Sequence, residues 1–428
     1  MIKKIGLSIL LVSVVTSVFA LAYNVQSVRA KVITVPDDYP TIQQAVDAAS
    51  LGDTIFVRAG TYHENVFIGK TVMLVGEDRN TTVIDGNGDY RRPVYINAEN
   101  VLVTRFTIRN SRFEFTYAGI GLYSASSCNI SGNIITANFD GIFATYSFNN
   151  TISNNIFDGN NWNGVHIRDG CTNNVIISNT IQNNRNGMSL EFTTNNYVLE
   201  NYIAYHEWDG IDIMGSRENT VIGNTIKYCF TGLYTGSKDD NMNVIYHNSF
   251  MYNTYQVTCY SYPNTWDNGY PSGGNYWSNY GGSDFKSGPY QNETGEDGLG
   301  DTKYGMGEGN VDNSPLMKPY TPQRILTYTD KYTYHAGDVM KLGLHVINLE
   351  HAIKGCVVIW IQFPNGTTRT ISHVHSKLLQ AGLDYNNPSY KTFTLPSLTP
   401  GIYKWHAAIL EPTLHAIILE DTAQWQFI

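Results

Sequence analysis

Between Ala118 and Gly236 apolar and polar residues alternate in short runs that restart at a fixed interval. The runs AGIGLY, DGIFAT, NGVHIR, NGMSLE, DGIDIM and TGLYTG carry Gly119, Gly141, Gly164, Gly187, Gly210 and Gly232, spaced 22 or 23 residues apart. Within each unit an aliphatic pair recurs beside asparagine: NISGNII, NTISNNIF, NVIISNTI, NYVLENYI, NTVIGNTI and NVIYHNSF. Asn133, Asn155, Asn179, Asn201, Asn224 and Asn248 thereby occupy one equivalent position. Self-similarity at this period, built from two-residue alternation, predicts a β-solenoid. A coil of about 22 residues cannot bury its own apolar face, but stacking coils at the ~4.8 Å strand spacing does. Asparagine tolerates left-handed backbone at a corner, and its amide bonds the coils above and below when stacked in register. The asparagines are therefore assigned to scaffold and given no function.

Alternation also sorts the glycine-led strands by face. Residues one and three after each glycine, such as Val165 and Ile167 or Ile211 and Ile213, are apolar and point inward. Residues two and four after glycine point outward and form two columns. The first is Gly121, Phe143, His166, Ser189, Asp212 and Tyr234; the second is Tyr123, Thr145, Arg168, Glu191, Met214 and Gly236. Two residues before each glycine stand Tyr117, Phe139, Trp162, Arg185, Trp208 and Phe230. Aromatic rings beside carboxylates and amides suit the apolar face and the hydroxyls of a sugar. Trp162, His166, Arg168, Trp208, Phe139 and Tyr234 are the residues expected to bind carbohydrate. An aromatic ladder packed under a loop is the structural alternative.

The same face offers candidates for chemistry. Arg168 and Glu191 fall in one column on adjacent coils, about 5 Å apart, as a cross-strand pair. Glu191 and Asp212 are diagonal neighbours at roughly 7–8 Å, compatible with the carboxylate separation of an inverting glycosidase. With Asp209 they form the candidate catalytic set, assisted by His166. Asp140, Glu191, Asp209 and Asp212 outnumber Arg168 and Arg185, so an anionic polymer would be repelled unless a cation bridged it.

The flanks of the repeat read differently. Lys3 and Lys4 precede an apolar run from Ile5 to Ala22, and a polar stretch then ends in VRA at Ala30. Residues 1–30 are read as a secretory signal peptide, a retained anchor being the alternative, and the remainder is expected outside the cell or on its surface. Residues 31–322 are assigned to the solenoid. Residues 323–428 show short alternating strands (KLGLHVINL, GCVVIWIQF, GIYKWHAAIL) between PNGT and TPG turns, and predict an Ig-like antiparallel β-sandwich. The whole chain is thus all-β. Its 37 Asp+Glu against 28 Lys+Arg exclude the basic footprint of a nucleic-acid binder. Its five cysteines, odd in number and without metal-type spacing, give no disulfide framework. No second apolar span follows the signal, and nothing sets an oligomeric state.

Three segments carry a resemblance. The opening VPDDYPTIQQAVDAA, with Thr41–Ala49 as a helical cap on the first coil, the repeats, and the closing GNYWSNYGG, GLGDTKYG and NVDNSPLMKPY resemble the NosD-type repeat family. That family lies within the pectin-lyase-like class of right-handed parallel β-helix proteins. The likeness covers about residues 32–320, roughly two thirds of the chain. It implies the fold, and it implies a class that includes polysaccharide lyases, hydrolases and uronate epimerases. The family's closing loop resembles calcium-binding Asp-rich loops; here Glu293, Asp297 and Asp301 match, with Gly295 where an oxygen ligand is expected. The family name implies copper, but neither His nor Met clusters in the repeats. The reading is a secreted glycan-binding protein, with a polysaccharide-processing enzyme and a structural surface-layer component as alternatives.

Overall fold

Each unit of the repeat folds into three short strands separated by sharp corners, and the next unit stacks on it in parallel register, so that Ile142 faces Val165 and Phe143 faces His166. The computed structural model describes residues 30–428 apart from 89–91, 115, 262, 322, 349–351 and 414–415. Among these, three parallel sheets of ten, nine and ten strands run the length of a β-helix. The first contains Thr151–Ser153 and Val175–Ile177, the second Asp140–Thr145 and Asn163–Arg168, the third Ile156–Asp158 and Thr180–Gln182. The inward residues form one apolar column in which Ile142, Val165, Met188, Ile211 and Leu233 are fully buried.

Asn133, Asn155, Asn179, Asn201, Asn224 and Asn248 are buried and stack as expected. Each Nδ2 donates to the Oδ1 of the next coil at 2.9–3.1 Å. The left-handed corner, however, is not theirs. It belongs to the residue before each: Gly132, Asn154, Ser178, Glu200, Gly223 and His247 all have φ between 53° and 72°. The kink turns the chain, which frees the following amide to point inward and bond along the solenoid.

Two further ladders run beside this one. Asn150, Asn174, Asn196, Asn219, Asn243 and Asn264 link at 2.9–3.3 Å. Asn138, Asn160 and Asn184 link at 3.1 and 3.2 Å, and the Asn184 N–H then meets Nδ1 of His206 at 3.3 Å. Burial pushes His206 down to about 4, so it stands in the ladder as a neutral ring.

The glycine column marks close approach. A Cβ at Gly141, Gly164, Gly187 or Gly210 would run into the carbonyl of the next glycine and into a core side chain.

Both ends are closed. The helix Ile42–Ala48, N-capped by the Thr41 hydroxyl, buries Ile42, Ala45 and Val46 over the first coil. At the far end the hairpin Tyr304–Gly307 and Asn310–Asp312 receives two ladders. Asn264 N–H and Trp266 Nε1 donate to Asn310 Oδ1, both at 2.8 Å. Asn275 N–H and Trp277 Nε1 donate to Asp312 Oδ2, at 2.7 and 2.9 Å.

The remaining strands pack as a β-sandwich. Gln323–Thr329, Val339–Asn348 and Leu383–Thr394 form one sheet. Ile353–Gln362, Thr368–Leu379, Gly401–Leu410 and Ile417–Phe427 form the other, with the short Thr333–Tyr334 at its edge. Tyr334, Met340, Tyr403, Trp405 and Trp425 fill a second apolar core. Lys318 pairs with Asp421 at 2.7 Å where solenoid and sandwich meet. Among the described residues no helix is long and apolar enough to cross a membrane. The expected signal peptide lies outside the described residues, except for Ala30.

Candidate functional site

The outward columns of the glycine-led sheet contain two different environments. Toward the middle of the solenoid the face is closed. His166 is 1 % exposed, with Nδ1 3.2 Å from Asp140 Oδ2 and Nε2 3.4 Å from Glu191 Oε1. Phe143 packs edge-on against its ring at 5.1 Å. Burial alone would lower the imidazole, but the two carboxylates outweigh it and hold His166 up to about 9. It is an imidazolium at neutrality, locked between anions and withdrawn from any ligand, which corrects its expected role as a carbohydrate contact. Alternation identifies the face of a sheet, not whether neighbours cover it. Asp140, counted above among the groove charges, is fully buried in the same cluster. Arg168 lies 3.6 Å from Glu191, as the column predicted, and 2.8 Å from Asp169.

The tryptophans also differ from expectation. Trp162 is half-buried; Phe139 stacks parallel to it at 5.9 Å, and the Arg185 guanidinium lies 4.0 Å from its ring centroid. Arg185 is also 3.6 Å from the Trp208 centroid. Trp162 therefore spends one face on Phe139 and the other on Arg185, which corrects it as an open sugar platform, while Phe139 has one face on Trp162. Arg185, read from sequence as a groove cation, is a clamp between two rings.

One coil further on the face opens. Trp208, Phe230, Tyr234, Tyr255 and Tyr260 border a shallow depression with Asp209 and Thr231 between them. Trp208, Phe230, Tyr255 and Tyr260 are 41–58 % exposed, an unusual concentration of uncovered rings on one surface. Tyr255 and Tyr260 were not found from sequence. Tyr255 opens the strand Tyr255–Cys259 and Tyr260 follows it; the strand pairs in register with the glycine-led strand before it but carries Gln256 where glycine would have marked the position. Asp209 is raised above the usual carboxylate range by burial, against the hydroxyl of Thr231.

Asp212 pairs with Tyr234 in register, is 9 % exposed, and has an Oδ1 without a hydrogen-bond partner. Burial first, then Asp209 and Glu191, push it up to about 7. Glu191 is held low, chiefly by the hydrogen bond from His166. Ser189 Oγ lies between them, 3.4 Å from Glu191 Oε1 and 3.3 Å from Asp212 Oδ2. The three candidate catalytic residues thus share one neighbourhood, in which Asp212 titrates close to neutrality while Glu191 is held low.

Glu293, Asp297 and Asp301 do not converge. Asp297 is buried and accepts from Gln291 and from the Leu299 N–H. Asp301 accepts from the N–H groups of Phe285 and Lys286. Glu293 is exposed in a two-residue strand. These oxygens brace the closing loop, and among the described residues no group of three or more His, Cys, Asp or Glu is placed to hold a metal. The three residues of the expected calcium set are thus not brought together among the described residues.

No curated protein sequence matches the chain. Among solved structures, the A-module of the Azotobacter vinelandii mannuronan C-5 epimerase AlgE4 is 15% identical, covering 55% of this chain and 88% of that one, with a TM-score of 0.37. ORF18 of Geobacillus virus E2 is 15% identical over 86% of this chain and 80% of its own, with a TM-score of 0.40. An alginate lyase from Paenibacillus sp. str. FPU-7 is 12% identical over 57% and 97%, with a TM-score of 0.27. Each is a distant likeness and is taken no further.

The family described as periplasmic copper-binding protein (NosD) matches residues 53–282. Copper sites draw on His, Cys or Met. Here the five cysteines are free and separately buried, His206 accepts the Asn184 N–H at Nδ1 and donates from Nε2 to the Ile181 carbonyl, and His247 bonds Ser272 and stacks on Tyr320. This donor set does not fit copper, and the family description is a statement about descent and fold. The match spans more than half of the 428 residues and falls on the laddered coils themselves, so the chain belongs to the NosD family.

Proposed function

We propose that this chain is an extracytoplasmic carbohydrate-binding protein that holds glycan in the depression bordered by Trp208, Phe230, Tyr234, Tyr255 and Tyr260. The observation that carries the reading is the set of uncovered rings around Asp209 and Thr231. Rings take the apolar faces of a sugar, and the carboxylate and hydroxyl take its hydroxyl groups. Residues 31–322 and 323–428 are proposed as separate folding units, each with its own apolar core.

A glycan array on the full chain, scored for retention and for product release, tests the proposal. Retention that is lost in Trp208→Ala and Tyr255→Ala supports it, and retention unchanged in both variants moves binding to another surface. A blank array removes the carbohydrate reading.

Polysaccharide processing is the second reading, favoured by the opposed titration of Asp212 and Glu191. Two nearby carboxyls pushed apart in this way are an acid and base assignment. Release of shortened or unsaturated products, abolished by Asp212→Asn while retention persists, would make the protein an enzyme.

A further inference from the structure

We infer that the depression beside Asp209 selects a protonated amine, so that its ligand is a glycan bearing free amino sugars rather than a uronate polymer. The inference rests on the carbohydrate reading above and narrows it to a substrate class.

Charge is the first argument. Among the described residues the lining of the depression includes Asp209 and no Lys, Arg or His. The nearby cations are already engaged. His166 lies between Asp140 and Glu191, Arg168 between Asp169 and Glu191, and Arg185 between Trp162 and Trp208. Asp212 adds a second acid behind Tyr234, with an oxygen that no hydrogen bond satisfies. A uronate placed here would bring its carboxylate against Asp209, which no cation in the lining offsets. An ammonium group would offer three N–H donors to the Asp209 oxygens and the Thr231 hydroxyl.

The walls are the second argument. Tyr234, Phe230, Tyr255 and Tyr260 offer ring faces and edges, Phe230 meeting Tyr255 edge-on at 5.4 Å and Tyr234 meeting Tyr260 at 6.3 Å. Rings set around a carboxylate hold organic cations through the ring quadrupole as well as the formal charge. The same face already does this internally, where the Arg185 guanidinium sits between two tryptophans. The depression repeats that chemistry one coil on, with room for a guest instead of a resident side chain.

Titration calorimetry on the full chain, at low salt and about pH 6, below the α-amino range that an amine beside electron-withdrawing oxygens follows, compares three oligosaccharides of equal length. The probes are a glucosamine oligomer, its fully N-acetylated counterpart and an oligomannuronate. The expected order is amine, then acetylated, then uronate, with the amine at least about tenfold tighter than the acetylated form. Added salt should narrow that gap, and Asp209→Asn should bring it close to parity. An amine no tighter than its acetylated form, or a uronate that matches it, overturns the inference without touching the carbohydrate reading. That reading falls only if the array is blank as well. The comparison among ligands uses the unaltered chain, so it stands whether or not the variant folds.

Discussion

Asp212→Asn should stabilise this protein at alkaline pH and leave it unchanged in acid. The side chain is 9 % exposed and has one oxygen without a partner. Its burial, with Asp209 and Glu191 nearby, raises it from 3.8 to about 7. Between those two values the folded chain binds a proton that the unfolded chain has released, so folding stability falls as pH rises. Below about pH 4 the carboxyl is neutral in both states and costs nothing; above about pH 7 the full penalty applies. At 1.36 kcal/mol per pH unit the rise corresponds to about 4 kcal/mol. An amide of the same shape carries no charge and escapes the penalty. Urea unfolding followed by tryptophan fluorescence, at about pH 4 and about pH 8, compares the variant with the parent chain. The expected difference is near zero at the lower pH and up to about 4 kcal/mol in favour of the variant at the higher. An equal effect at both, or a loss at the higher pH, refutes the reasoning. A natural carboxyl retained at such a cost is the kind of trade between stability and activity expected of a functional site.

Other outcomes follow from the same geometry. His166→Leu should cost about 3–5 kcal/mol at neutral pH by leaving Asp140 buried without its cation. Because His166 is raised from 6.5 to about 9, its contribution is full below about pH 6.5 and lost through about pH 9, so the deficit measured by urea unfolding should shrink across that window. Asn179→Leu removes the oxygen that receives both the N–H and Nδ2 of Asn155; each orphaned group should cost about 1–3 kcal/mol in thermal or urea unfolding. Gly187→Ala drives a methyl group into the Gly210 carbonyl and the Ile203 side chain, and should lower stability by about 1–3 kcal/mol. Chelation of divalent cations should leave the melting midpoint where it was, since among the described residues no group of acids is placed together to hold a metal.

The solenoid was legible because identical residues recur at a fixed interval together with two-residue alternation, and Asn155 over Asn179 could be drawn from spacing alone. From Asn150 to Asn243 the second ladder stands five residues before the first, at the head of the runs NTISNNIF to NVIYHNSF, and only Asn264 leaves that register. The ladder through Asn138 and Asn160 was hidden: its distance to the following glycine alternates between three and four residues, and His206 and Cys229 take over its later rungs. At the site, spacing placed Trp208, Asp209 and Tyr234 on one face, and the structure brings them to one depression. Spacing does not encode which parts of a face are roofed by their neighbours. His166 and Trp162 were misjudged for that reason, and Tyr255 was missed because Gln256 breaks the glycine register.

The asparagine ladders have a direction: the amide-to-amide bonds all run toward the same end of the solenoid, while each Nδ2 also donates back to a carbonyl of the preceding coil. Asn310 and Asp312, on alternate positions of one strand, receive the last rungs. Interior coils are interchangeable parts, because each presents its neighbours with the same rungs that it receives. A gene could gain or lose a whole coil by duplication or deletion without rewriting those on either side. The closing hairpin has no such freedom: without its two acceptors the last coil would offer bare donors to another molecule, and the helix Ile42–Ala48 covers the opposite end in the same way. The number of interior coils is therefore free to drift in evolution, while the two closed ends are what keep the solenoid from becoming a fibre.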